Sequence, residues 1–269
     1  MRAKIPTVMS TTISLAKPRR RWLRFSLRSF FLVVLVIAVS LGWMIHGARQ
    51  QGIAVAALKE IGCTVSYYNN TDRSPTVLEW LRKLLGEDEY RDVDWVVGSR
   101  SQITDAGLVY LRGLTQFRHL RLDDAQVTDA GLVQLQGLTQ LQGLSLSGTQ
   151  VTDAGLLHLR GLTQLQNLNL NGTQVTDAGL LHLRGLTQLQ GLNLISTQVT
   201  DAGLVHLRGL TQLQYLYLSG TQVTDAGLVH LGGLTQLGYL SLDRTKVSDA
   251  GVRRFQKTLP KCRINTGDH

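Results

Sequence analysis

Between Thr104 and Val247 the apolar pattern changes period twice within every 24 residues. In the stretch 152–175 (TDAGLLHLRGLTQLQNLNLNGTQV), Leu156, Leu159 and Leu162 recur every three residues, the interval of tight helical turns. Leu168 and Leu170 then alternate with polar neighbours, which predicts a short strand with both leucines on one side. Asp153 is positioned to cap the helix, its carboxylate accepting from free backbone N–H groups, and Gly161 lets the chain leave it. Thr173 and Val175 turn back inward before the next unit. Thr-Asp-Ala-Gly-Leu opens six such units at Thr104, Thr128, Thr152, Thr176, Thr200 and Thr224, and Ser248 to Val252 begins a seventh that does not finish. A fixed period of this length predicts an α/β solenoid of stacked short strands and short helices. The seven apolar positions of one unit cannot offset the entropy of ordering its backbone, so each unit depends on its neighbours.

Ahead of the repeats the pattern is different. No charge interrupts Ser29 to Ala48, and Phe30 to Ile45 is almost wholly apolar. As a helix this run is about 30 Å long, the hydrocarbon thickness of a bilayer, and Trp22 and Trp43 suit its interfaces. It predicts a transmembrane helix over 29–48. Ala38-Val39-Ser40 also offers the small residues of a signal-peptide cleavage site, which leaves a cleaved leader as the alternative. Charge adds the orientation. The chain carries a net +9, yet 1–28 holds eight basic residues and no acid, leaving 20 basic against 19 acidic side chains elsewhere. The positive-inside rule then predicts a cytoplasmic N-terminus and an extracytoplasmic repeat domain.

Residues 49–61 read as a short amphipathic helix stopped by Gly62, followed by a strand at Cys63–Tyr68 and a polar turn at 69–73. Ser74-Pro75 starts a helix whose apolar face is Val77, Leu78, Trp80, Leu81, Leu84 and Leu85. The expected organisation is a basic tail (1–28), the membrane helix (29–48), a stalk and N-terminal cap (49–90) and the repeat domain (91–269). Within the last, 91–103 reads as a degenerate first strand with one inserted residue, and Cys262–Ile264 as a terminal strand closing the core. Two cysteines exclude a disulfide scaffold or a four-cysteine zinc site. Cys63 and Cys262 sit in opposite caps, separated by roughly 29 Å across seven stacked strands, beyond disulfide reach. Cys63 could still bridge to a second molecule.

Leu165, Leu168, Leu170, Thr173 and Val175 occupy the places of the leucine-rich repeat pattern L-x-x-L-x-L-x-x-N/C-x-L, which the chain resembles. Threonine (Thr149, Thr173, Thr197, Thr221, Thr245) replaces the usual asparagine or cysteine, and its hydroxyl is expected to bridge neighbouring loop backbones. The Thr-Asp-Ala-Gly-Leu element is similar to repeats of substrate-recognising subunits of eukaryotic ubiquitin ligases, but no F-box-like segment precedes it. The Arg21–Arg28 leader, the apolar span and the Ala54–Leu58 helix together resemble membrane-anchored leucine-rich repeat proteins of planctomycete bacteria. The resemblance implies short parallel strands on a concave face, short helices on a convex face, and recognition by the residues between the strand leucines.

Those interstrand positions vary more than the leucine frame. Tyr215, Tyr217 and Tyr239 fall on adjacent strands, with Asn167, Asn169 and Asn193 beside them, and these six residues are the candidate ligand-binding set. His158, His182, His206 and His230 predict a solvated column on the convex side, with Arg160, Arg184 and Arg208 as a parallel basic ridge. No cysteine or carboxylate stands at a ligand spacing beside them, so no metal is expected. The sequence has no P-loop, no Gly-x-Ser-x-Gly elbow and no His-Glu-x-x-His, and no catalytic residue or cofactor is expected. Basic residues without interleaved aromatics argue against nucleic acid. The reading is an α/β leucine-rich repeat solenoid on an N-terminal transmembrane helix that recognises a protein or glycan without covalent chemistry. A structural spacer or envelope-organising array is the alternative, and a substrate-receptor-like subunit a lesser one.

Overall fold

The structure, a computed structural model, describes residues 27–67, 93–98, 103–114 and 116–267. The basic tail through residue 26, the polar turn at 69–73 and the helix expected from Ser74 lie outside the described residues. The chain comprises two compact units, Met1–Met44 and Ile45–His269.

Helix α1 spans Leu27–Glu60 without interruption. The separate helix expected from residue 49 is therefore its continuation, because alanines and glutamines on either side of Gly52 sustain the helix and no proline breaks it. Several side chains of the uncharged run lie outside the described set; among the described residues no helix is long and apolar enough to cross a membrane. Gly62, at φ +85°, ends α1 in a left-handed turn. The Cys63 N–H donates back to the Leu58 carbonyl at 2.9 Å and the Gly62 N–H to that of Lys59 at 3.1 Å, and buried Leu58 and Cys63 close the turn.

The second unit is a solenoid around one nine-stranded sheet in sequence order: β1 (Thr64–Tyr67), β2 (Val93–Val97), β3 (His119–Arg121), β4 (Gly143–Ser145), β5 (Asn167–Asn169), β6 (Gly191–Asn193), β7 (Tyr215–Tyr217), β8 (Tyr239–Ser241) and β9 (Arg263–Asn265). β1 runs antiparallel to β2 and covers that edge; every later pair is parallel in an unbroken 24-residue register. Trp95 thus stands opposite His119, with no inserted residue between those two strands. The seventh unit also completes itself: its helix lengthens to Asp249–Thr258 and leads into β9 beside β8. The leucines predicted to face inward do so. Leu156, Leu159, Leu162, Leu165, Leu170 and Val175 are fully buried, and Leu168 nearly so.

The conserved opening of each unit works differently from the expected helix cap. Thr152, not Asp153, is the N-cap of the Asp153–Leu156 turn, its hydroxyl accepting from the Ala154 N–H. The Asp153 carboxylate reaches forward to the next unit instead. One oxygen accepts the Thr176 N–H at 2.8 Å and the other the Thr176 hydroxyl at 2.6 Å. The same bidentate bridge joins Asp105 to Thr128, Asp129 to Thr152, Asp177 to Thr200, Asp201 to Thr224 and Asp225 to Ser248. At the last bridge the Ser248 hydroxyl, and then its N–H, hold the Asp225 carboxyl below the usual carboxylate range. The buried threonines do not bridge loops: Thr149, Thr173, Thr197 and Thr221 each donate to a carbonyl three residues back in their own unit, at 2.6–2.7 Å. Charge-assisted aspartate bonds carry the side-chain tie between units instead.

Candidate functional site

Strands β3 to β8 are three residues long with a buried leucine at the centre, so the two flanking side chains of each point to the concave face, and β2 continues them with Trp95 beside buried Val96. Parallel pairing in register stacks these into two columns. One contains Trp95, His119, Gly143, Asn167, Gly191, Tyr215 and Tyr239; the other contains Arg121, Ser145, Asn169, Asn193, Tyr217 and Ser241. All six predicted site residues lie here. Tyr215 is paired with Tyr239 and Tyr217 with Asn193, while Asn169 is paired with Asn193. The rings of Tyr217 and Tyr239 are 5.4 Å apart at 50°. Between Trp95 and Tyr217 the columns line a groove of about 840 Å³.

Two glycines shape its floor. A methyl group at Gly143 would lie 2.6 Å from Nδ1 of His119, and one at Gly191 would lie 2.6 Å from Oδ1 of Asn167. The His119 and Asn167 side chains therefore lean over the glycine of the following strand, a placement any larger residue would block. Hydrogen bonds fix the second column. Asp123 accepts from both Arg121 and Ser145, Asn169 donates to Ser145 at 3.0 Å, and the Ile195 N–H donates to Oδ1 of Asn193 at 3.0 Å. The Arg121 charge is thus matched within the site. Burial lowers the pKa of His119 despite the opposing pull of Asp94, which favours the neutral ring.

The feature not foreseen at this site is its second aromatic end. Trp95 stacks on His119 with centroids 4.2 Å apart at 19°, and 42% of Trp95 remains exposed. The signal was present: Trp95 precedes His119 by one 24-residue period. The presumed insertion in that degenerate unit obscured it.

The convex histidines form a partly exposed column, and the arginine ridge beside them is hydrogen-bonded to it. Nδ1 of His182 accepts from Arg160 at 2.6 Å, that of His206 from Arg184 at 2.5 Å and that of His230 from Arg208; Gln136 holds His158 at 2.7 Å. Desolvation first, and then the arginine of the preceding unit, lower the pKa of His182 and His206 against the opposing Asp153 and Asp177. These histidines stay neutral in the fold while the unfolded chain takes up protons near pH 6.5. Stability should therefore fall as pH drops below about 6.5 and level off once the folded rings are protonated. In thermal melts between pH 7.5 and 5, the His182→Gln/His206→Gln variant should lose less Tm than the parent; equal losses would remove the histidines from the explanation.

Both cysteines are buried. Cys63, at 5% exposure, is not placed to bridge molecules, and burial pushes the Cys262 thiol up to about 11. Among the described residues no group of three or more His, Cys, Asp or Glu side chains could hold a metal ion.

A two-copy leucine-rich repeat family model matches residues 139–182, and a single-repeat model matches 209–232. No curated protein matches the chain. Among solved structures, internalin C2 of Listeria monocytogenes shares 33% identity over 64% of this chain and 70% of its own, with a TM-score of 0.53. A second internalin of that organism shares 24% identity over 64% and 53%, with a TM-score of 0.49. Together with the stacked units and their buried leucine frame, the repeat-model matches and the likeness to internalin C2 place the chain among the leucine-rich repeat proteins.

Proposed function

We propose that the chain is a recognition protein that holds a macromolecular partner non-covalently on its concave face. One observation carries this reading. The buried frame is nearly identical from unit to unit, whereas from β2 to β8 at least one of the two concave positions changes at each strand, and together they gather aromatic and amide side chains into one groove. Copies that served only as spacers would have no reason to gather aromatic and amide side chains on this face. Tyrosine and tryptophan bring large contact area at low conformational entropy, with a polar tip for specificity.

We also propose that the uncharged run at 29–48 tethers the protein to a membrane, with the basic tail cytoplasmic and the repeats outside. The support is the sequence: its length, its lack of charge and the basic cluster on one flank. A tether would raise the local concentration of the binding face at the membrane.

One preparation tests both. Full-length protein and its Tyr215→Ala/Tyr217→Ala/Tyr239→Ala variant are expressed in membranes and cross-linked. Parent and variant should both stay with the bilayer after alkaline carbonate washing, and the variant should lose at least about tenfold of the captured partner. Release of the chain by carbonate would remove the tether. An unchanged partner set would remove the tyrosine face, and self-association with no captured partner would favour the spacer.

A further inference from the structure

We infer that the concave groove takes a linear, uncharged oligosaccharide, laid from the Trp95–His119 stack across the asparagine floor to the Tyr217–Tyr239 pair. The inference rests on the recognition reading and names its ligand class.

The two aromatic ends stand five strand spacings apart, from β2 to β7, roughly 24 Å at ~4.8 Å per strand. A compact metabolite spans no such distance; an extended polymer segment does. The ends also share a chemistry. Trp95 and Tyr215 keep 42% and 48% of their surface exposed in a groove otherwise floored by buried leucines. The negative face of an aromatic ring attracts the weakly positive C–H groups on the face of a pyranose ring.

What lies between the ends matches hydroxyl groups. Among the described residues, the Asn167 amide and Nδ2 of Asn193 have no hydrogen-bond partner within the protein. Each amide supplies donors beside an acceptor, the pairing that a sugar hydroxyl, itself donor and acceptor, can use in both directions. The His119 and Asn167 side chains occupy the space over Gly143 and Gly191, which lays the imidazole and the Asn167 amide across the groove where a sugar ring would meet them.

Charge narrows the class. Arg121 is paired with Asp123, and among the described residues no other formally charged side chain lines the groove. Between the aromatic ends an acidic glycan or an acidic peptide would find no unpaired cation; Arg263, opposite Tyr239, stands beyond the tyrosine end. A folded protein would bring aliphatic anchors, yet Ile195 is the one aliphatic lining residue that is not buried. A peptide cannot add as a strand to this face, because β2 to β8 are hydrogen-bonded on both sides.

The test uses the full-length protein in lipid nanodiscs, free of sugar-based detergent, on an array of linear tetra- to octasaccharides. Neutral glycans should be bound at least about tenfold better than uronate-containing or sulfated ones of equal length. Trp95→Ala and Tyr217→Ala should each weaken binding about tenfold, and Tyr217→Phe, which keeps the ring, should not. Melting temperatures identify any variant that fails to fold, and Asn167→Ala, at an exposed side chain, then supplies the second reading with an expected loss of several-fold. Binding of no neutral oligosaccharide, a preference for acidic glycans, or binding indifferent to both aromatic ends would each overturn the inference. If a tyrosine-dependent protein partner is captured in the cross-linking experiment while the array stays blank, the recognition reading survives and the glycan assignment falls. If both are blank, both fall.

Discussion

Excising residues 152–199 should leave a shorter array that still unfolds in one cooperative transition, whereas excising 152–163 should abolish that transition. The first cut removes two whole units and joins Val151 to Thr200. β4 would then pair with β7 in the register it now uses for β5, and the Asp129 carboxylate would meet Thr200 as it now meets Thr152. Nothing in the core changes partner type, since each unit buries the same leucines. The urea m-value should fall by about a fifth, in proportion to the residues lost from the second unit. The second cut leaves nine residues, 146–151 and 164–166, between β4 and β5. Parallel strands need a connection of about a dozen residues or more. The cut also deletes Leu156, Leu159 and Leu162 and leaves Asp129 without its threonine. Chemical denaturation followed by circular dichroism distinguishes the two products. Equal behaviour would mean that the units do not depend on each other through register, and nearest-neighbour stacking would fail as the source of stability.

Replacing Gly203 by alanine should cost about 3 kcal/mol, although alanine in a helix usually gains about 1 kcal/mol over glycine. Gly203 lies in the helical turn Asp201–Leu204 and is buried. A methyl group there would fall far inside van der Waals contact of Oδ1 of Asp177 and 3.0 Å from Leu180 Cδ1. Asp177 belongs to the preceding unit, and that same oxygen accepts the Thr200 N–H. The carboxylate would have to move, releasing two charge-assisted hydrogen bonds and leaving the Thr200 N–H unpaired. The diagnosis is testable by a double-mutant cycle with Asp177→Ala. Once the carboxylate is gone the alanine at 203 should be tolerated, and the two costs should fall short of additivity by nearly the full cost of the single variant, about 3 kcal/mol. Additive costs would point to Leu180 or to the helix itself. Gly131, Gly155, Gly179, Gly227 and Gly251 face the aspartate of the unit before them in the same way. The glycine of Thr-Asp-Ala-Gly-Leu is therefore a clearance for a neighbour's carboxylate.

Leu168 shows why so much of this architecture is legible without coordinates. Its burial follows from a two-residue alternation written beside it in the chain, and Leu156 and Leu159 follow likewise from a three-residue interval. The face of Tyr215 and Tyr217 was readable by the same alternation, since both flank buried Leu216. Asp153 marks where this reasoning stops. Local rules for helix starts assign it to its own helix, but its partner Thr176 is 23 residues away and becomes a neighbour only after one complete turn of the solenoid. Trp95 is a second case: in isolation it is one tryptophan in an irregular segment, and it becomes half of an aromatic platform only when β2 is laid against β3. The convex arginines are a third, read as a ridge parallel to the histidines until each is seen to donate to a histidine one unit on.

The amino-acid sequence alone thus determined the period, the strands of the six complete units and their register, the buried frame and the face carrying the tyrosines. Those properties are set by side-chain periodicity along the chain, and identical units can stack in only one register without exposing leucine. The tertiary structure alone decided which aspartate meets which threonine, which glycine must stay empty for which side chain, and which two aromatic groups end the groove. Each of those depends on contact across a ~4.8 Å strand spacing between residues a full turn apart, where no local pattern reaches.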